Sequence, residues 1–349
     1  MPVATRTPPD LFFFHNRCSI EFWYIKHLEF ANTRVANDDF DITFGDWTDI
    51  HWSSPQIWDN EHQSFIRQVK PVAVHSHNDY TRRIPLWEAL GSGCISVEAD
   101  VTFHKSDLLV GHTRRSLKCE NSLKAMYLEP LQRLFDIRNA NVSEEASWRG
   151  VFDAVSQQTL VLLIDFKSAS QQTLAELDHQ LESLRAKDYL TYWNGTDRIL
   201  RPLTIVASGK VEFDGILALH PLHRDIFFDA PLAFLHDPND IFSADSPIYT
   251  YNISNSYYAS SELKNGIIMR ADRDDTSLAS QDASSSQLDQ AKSRGLVSRY
   301  WGEKWSDYHT SEAVMWRFLI NAKIGILNMD DMGAVRDRSQ GMGGLTIQE

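Results

Sequence analysis

From Pro71 onward, apolar residues gather into short β-rich runs separated by stretches with helical spacing. The runs are Pro71–His75, Cys94–Val101, Leu160–Phe166, Leu203–Ala207, Ile226–Phe228, Ile248–Tyr251, Leu296–Trp301 and Ile324–Leu327. Between them, Leu174, Leu177, Leu181 and Leu184 recur at the three- and four-residue steps of a helix face, as do Ala313, Trp316 and Ile320. Pro85 to Leu90 also reads as helix, leaving through Gly91–Gly93. Strand alternating with helix predicts a parallel sheet. Eight such units predict an α/β fold of the closed (β/α)8 TIM-barrel type over residues 70–335. The alternative is an open doubly wound sheet. Residues 1–69 are rich in Trp, Phe, Asp and His but show no period. They are read as an irregular N-terminal extension that packs in part on the barrel. Residues 336–349 are read as a C-terminal tail, and Ser280–Gln287 as a surface loop.

Composition changes this picture little. With 42% hydrophobic and 23% charged residues among 349, the chain is that of a globular protein. Charge matters more. Lys plus Arg number 34 and Asp plus Glu 47, giving a net charge of −13. Such a chain repels phosphate backbones, so nucleic acid is not expected as a partner. Cys18, Cys94 and Cys119 are too few for a disulfide framework. No apolar run approaches the ~20 residues of a transmembrane helix. Leu11 to Phe14 is too short for the core of a signal peptide, so no compartment is assigned.

A barrel of this type carries its chemistry at the C-terminal ends of its strands. The first run ends in His75-Ser76-His77-Asn78-Asp79, and the second contains Glu98-Ala99-Asp100. The third ends in Asp165-Phe166-Lys167 and the eighth in Asn328-Met329-Asp330. Glu98 and Asp100 are two apart, as are Asp165 and Lys167, so each pair shares one face of its strand, the barrel interior. Two carboxylates ~4 Å apart repel by about 4 kcal/mol at an effective dielectric of 20. Three that converge call for a divalent cation or a raised pKa. Oxygen-only ligands suit Mg²⁺ or Ca²⁺. The alternative for Glu98 and Asp100 is pairing with loop arginines such as Arg82 or Arg114. His112 ends Leu108-Leu109-Val110-Gly111, which reads as a hairpin returning over the barrel mouth. It lies fourteen residues after Glu98 and is a candidate second acid/base.

At these residues the sequence resembles the phosphodiesterases with a phospholipase C-like barrel. Their pattern is a histidine ending the first strand, a helix, Glu-x-Asp on the second strand, then a histidine. Here these correspond to His75, Glu98-Ala99-Asp100 and His112. Asp165-Phe166-Lys167 resembles the Asp-x-Lys of the sphingomyelinase D branch, and Trp301 and Asn328 resemble its pocket residues. The segments Ala73–Tyr80 and Ser96–Val101 are most similar to the fungal altered-inheritance-of-mitochondria protein six family. The His-Arg-Gly and Glu-Asn-Thr of glycerophosphodiesterases are not present at the first strand. The resemblance implies a metal-dependent phosphoric diester hydrolase acting on a small phosphodiester or a lipid head group. Glu98, Asp100 and Asp165 would hold Mg²⁺ or Ca²⁺. His75, His112 and Lys167 would be catalytic, His75 as base and His112 as acid. His77, Asn78, Trp301 and Asn328 would contact substrate, with His77 as the other candidate for the catalytic position. A peripheral membrane contact is compatible with a lipid substrate, and nothing in the sequence points to an oligomeric state. Two other readings compete. In the first, His75-x-His77 opens an amidohydrolase-like metal site, which needs further histidines at later strand ends. In the second, the barrel binds a ligand without catalysis.

Overall fold

A computed structural model of the chain describes residues 39–45, 50–142, 147–235, 250–263, 281–302 and 312–337. Eleven strands are formed among them: β1 Val72–Ser76, β2 Cys94–His104, β3 Asp107–Val110, β4 Leu160–Phe166, β5 Tyr192–Trp193, β6 Arg198–Ile199, β7 Leu203–Gly209, β8 Ile226–Pro231, β9 Ser256–Glu262, β10 Val297–Trp301 and β11 Leu327–Met329. The main sheet runs β10-β9-β8-β7-β4-β2-β1-β11, and every neighbouring pair along it is parallel. The two ends approach each other: the amide of Ile326, just before β11, donates to the carbonyl of Ser298 on β10 at 3.1 Å. Gly325 makes that approach feasible, because a Cβ there would lie 2.7 Å from the Ser298 nitrogen. The result is a nearly closed eight-stranded barrel with helices outside. β3 folds back on β2 as an antiparallel hairpin, and β5–β6 form a separate small hairpin.

Strands β1, β4 and β7 are buried along almost their whole length, as expected of strands covered on both faces. The leucine stripe predicted from spacing spans two consecutive helices, Ser170–Gln180 and Glu182–Ala186, and all four leucines are buried. In the N-terminal segment, residues 1–38 lie outside the described residues. Beyond them, helices Asp39–Phe44 and Asn60–Gln68 and a 3-10 turn at Pro55–Trp58 place Phe40, Phe44, Ile57 and Ile66 in the hydrophobic core. This part of the segment is more regular than its sequence suggests. The last helix, Met332–Arg336, runs one residue into the segment read as a tail.

Two expectations are corrected. The sixth strand is Ser256–Glu262, not Ile248–Tyr251. Residues 248 and 249 lie outside the described residues, and Asn252–Asn255 form a turn held by the Asn252 and Asn255 side chains. The true strand escaped notice because its inward residues are polar. Tyr258 and Ser260 are hydrogen-bonded inside the barrel, so no apolar run marks it. The Ser/Gln-rich stretch read as a loop begins a helix, Gln281–Ser293, anchored by buried Leu288 and Ala291.

Candidate active site

The site begins with the register of β2 and β4, which sets Asp100 directly beside Asp165. Glu98 stands two residues deeper on the same face of β2. One carboxylate oxygen from each of Glu98, Asp100 and Asp165 lies within 4.8 Å of the others, and no other group of three or more such ligands converges among the described residues. Lys167, just past β4, places Nζ 2.7 Å from Asp165 Oδ2 and 3.2 Å from Asp100 Oδ2. Burial raises the Asp165 carboxyl above its usual range against the pull of Lys167. For Lys167, burial is outweighed by Asp165 and Asp100, and its ammonium is held more firmly protonated than usual. Gly209, at the end of β7 with φ +71°, keeps the space that Asp165 occupies, since a Cβ there would collide with Asp165 Oδ1.

Asp100 is fully buried and unevenly satisfied. Its Oδ2 meets His112 Nδ1 at 2.7 Å, accepts from the Tyr80 hydroxyl at 2.8 Å and pairs with Lys167. Its Oδ1 is buried with no hydrogen-bond partner. An orphaned anionic oxygen in a protein interior is costly. A cation shared with Glu98 and Asp165 would remove that cost, so the donor set fits a hard divalent ion such as Mg²⁺ or Ca²⁺.

The three histidines differ sharply in access. His75 is wholly buried, with Nδ1 2.6 Å from Ser96 Oγ and Nε2 3.0 Å from Glu98 Oε2. Burial, helped by the Arg299 charge, lowers its pKa to about 4. It is therefore neutral at pH 7 and offers a substrate no free ring edge. β1 ends at Ser76, and His77 emerges beyond it level with Glu98, its side chain 22% exposed. His77 Nδ1 lies 3.0 Å from Asp330 Oδ1, after β11. The hairpin predicted for residues 108–112 is formed: Lys105 and Ser106, both at positive φ, make a two-residue turn of the kind that suits strand twist. The returning strand brings His112 over Asp100 with 66% of its side chain exposed.

For His77, burial works against the proton, but the bond to Asp330 and the charge of Glu98 outweigh it and raise the pKa above 6.5. In the metal-free protein, side-chain ¹H–¹⁵N NMR is expected to show His77 titrating above 6.5, with Asp330→Asn moving the midpoint down. A midpoint below 6.5 in the unsubstituted protein contradicts this electrostatic picture.

The remaining expected residues divide. Asn78 Oδ1 lies 2.8 Å from the Tyr80 oxygen, whose one hydrogen goes to the Asp100 carboxylate, and so stands one residue away from Asp100. Asn328 faces the interior beside His75 but is held by Arg299 Nη1 at 2.9 Å, deeper than the carboxylates. Trp301 follows Arg299 by two on β10, so it shares the inward face at the mouth, 39% exposed. The arginine near Glu98 is Arg299, 3.7 Å away, rather than Arg82 or Arg114. Arg82 instead ties the backbone after β1 to the end of β11, through the carbonyls of His77 and Met329. Sequence reasoning missed Tyr80, Asp229, Arg299 and Asp330. Asp229 Oδ2 accepts from Ser208 and pairs with Arg299 at 3.4 Å. For Arg299 the usable signal was a charged residue inside the run Leu296–Trp301. A cleft of about 240 Å³ opens beside His112, lined by Tyr80, Thr81, Gly111, Ser116, Asn121 and Met126 among others. Among the described residues, the later strands carry no histidine at the ends an amidohydrolase-like site would use: β7, β8, β9 and β10 end in Gly209, Pro231, Glu262 and Trp301.

The chain is similar in sequence to known proteins. The family model of the AIM6-like phosphodiesterase domain matches residues 63–229. The altered inheritance of mitochondria protein 6 homolog of Arthroderma benhamiae is 32% identical over 280 residues, covering 77% of this chain and 84% of that protein. Altered inheritance of mitochondria protein 6 of Eremothecium gossypii is 33% identical over 75% of this chain and 68% of its own length. A solved structure, phosphatidylinositol-specific phospholipase C from Listeria monocytogenes, aligns over 77% of this chain and 92% of its own with TM-score 0.39 and 12% identity.

Proposed function

The chain belongs to the altered inheritance of mitochondria protein 6 family, and from its site we propose that it is a metal-dependent phosphoric diester hydrolase whose substrate is a small or lipid-derived phosphodiester. The observation that carries the reading is the cluster of Glu98, Asp100 and Asp165, with Asp100 Oδ1 buried and unpaired and a histidine on either side. A phosphodiester is an anion and this chain carries a net charge of −13, so the site must reverse the local sign. Glu98, Asp100 and Asp165 would hold Mg²⁺ or Ca²⁺, which supplies Lewis acidity at a phosphoryl oxygen.

The protein's own groups do the rest. Lys167 brings a positive charge to where negative charge builds in the transition state. His77, rather than the buried His75, takes the proton of the attacking hydroxyl, with Asp330 orienting its ring. His112 gives a proton to the departing oxygen, its Nδ1 fixed by Asp100 so that Nε2 points outward. The acid must lie within reach of the leaving oxygen, so the departing alcohol sits toward the cleft beside His112. At about 240 Å³ that cleft is smaller than the ~300–1,000 Å³ of drug-sized sites and suits a compact group. Cleavage of bis(4-nitrophenyl) phosphate that stops in EDTA and returns with Mg²⁺ or Ca²⁺ tests the reading. Full activity in EDTA overturns it.

A further inference from the structure

We propose that His75 is a positioning residue, the last donor in a buried chain Tyr258–Ser96–His75–Glu98 that aims the Glu98 carboxylate at the cation. The inference rests on the reading of Glu98 as a ligand. The chain crosses the barrel interior, from β9 through β2 and β1 back to β2. Its polarity follows from donor and acceptor chemistry. An ionised carboxylate only accepts, so His75 Nε2 carries the hydrogen toward Glu98 Oε2 at 3.0 Å. The ring is neutral, so Nδ1 is then an acceptor, and Ser96 Oγ donates to it at 2.6 Å. Ser96 has spent its hydrogen, and its oxygen accepts from the Tyr258 hydroxyl at 2.8 Å. Every link runs toward Glu98, and one tautomer satisfies all three.

The consequence lies in which oxygen is tied. His75 and Arg299 both approach Oε2 of Glu98. Oε1 is left for the cation beside Asp100 and Asp165. Burial alone would push the Glu98 carboxyl up, but the His75 bond and the charges of His77 and Arg299 hold it well below the usual carboxylate range. A ligand kept ionised and fixed in rotation costs less to organise when an ion binds. This gives His75 a purpose that proton transfer cannot, since its side chain has no exposed surface.

The test is Mn²⁺ affinity of the full chain by electron paramagnetic resonance, a readout independent of turnover. His75→Phe fills the volume without a donor and is expected to weaken Mn²⁺ binding by ~10–100-fold, the usual effect of losing a partner behind a ligand. His75→Gln places an amide N–H near the position of Nε2 and is expected to recover most of the affinity. Tyr258→Phe removes only the first donor, preserves the packing and should weaken binding less than His75→Phe. Wild-type affinity in His75→Phe overturns the proposal, as does an equal loss in His75→Gln and His75→Phe. If His75→Phe does not fold, unchanged affinity in Tyr258→Phe overturns it. If wild type binds Mn²⁺ and the variants weaken it as stated, yet no diester is cleaved, the hydrolase reading fails and the positioning role stands. If wild type binds no Mn²⁺, both fall.

Discussion

Asp100→Asn is expected to abolish cation binding and turnover together while the barrel stays folded. Asp100 is the hub of the site: its Oδ2 organises His112, Tyr80 and Lys167, and its Oδ1 is the buried oxygen without a partner. An asparagine keeps the shape but replaces a hard anionic donor with a neutral one, and with its amide oxygen kept toward Lys167 and Tyr80 its NH₂ would face the cation. The loss in Mn²⁺ or Mg²⁺ affinity should exceed the ~10–100-fold typical of a partner behind a ligand, because a ligand itself is lost. Removing a buried negative charge beside Glu98 and Asp165 relieves repulsion, so the melting temperature should hold or rise in the metal-free protein. Affinity within a few-fold of wild type would remove Asp100 from the ligand set.

The second large effect is expected at the two reachable histidines. His77→Asn and His112→Asn should each cut turnover by roughly 10²–10⁴ with little change in cation affinity, since positioned proton transfer contributes in that range. The double variant should be only slightly worse than the worse single one, because groups that act as a unit are non-additive. His75 separates from this pair: its replacement should move cation affinity first and turnover only as a consequence. An amidohydrolase-like site orders these effects differently, with His75 and His77 both stripping metal and His112 of no importance. Measuring metal occupancy and turnover for the three single variants distinguishes the schemes.

The acidic cluster was legible because it is local. Strand geometry puts residues i and i+2 on one face, so Glu98 with Asp100, and Asp165 with Lys167, could be paired without knowing the fold. The return of His112 was legible for the same reason, since a short apolar run after a long strand makes a hairpin. What escaped depends on contacts between distant segments. Arg299 reaches Glu98 across 201 positions of sequence, and Asp330 reaches His77 across 253. The choice between His75 and His77 turns on where β1 meets the mouth. That depth is set by the register of β1 against β2 and β11, which no single segment encodes. β9 was missed because its interior face carries Tyr258 and Ser260, whose polar atoms join the hydrogen-bond network, so no run of aliphatic residues marks it.

The central claim, cation-dependent cleavage of a phosphodiester, is tested most directly by ³¹P NMR of the full chain with a panel of glycerophosphodiesters and phospholipid diesters. With Mg²⁺ or Ca²⁺ present, at least one diester resonance should give way to a phosphomonoester or cyclic phosphate signal, and EDTA should stop it. The product also identifies the head group, and whether water or an internal hydroxyl attacks. Product formed at full rate in EDTA, or no product from any diester by protein shown to bind the cation, would contradict the account.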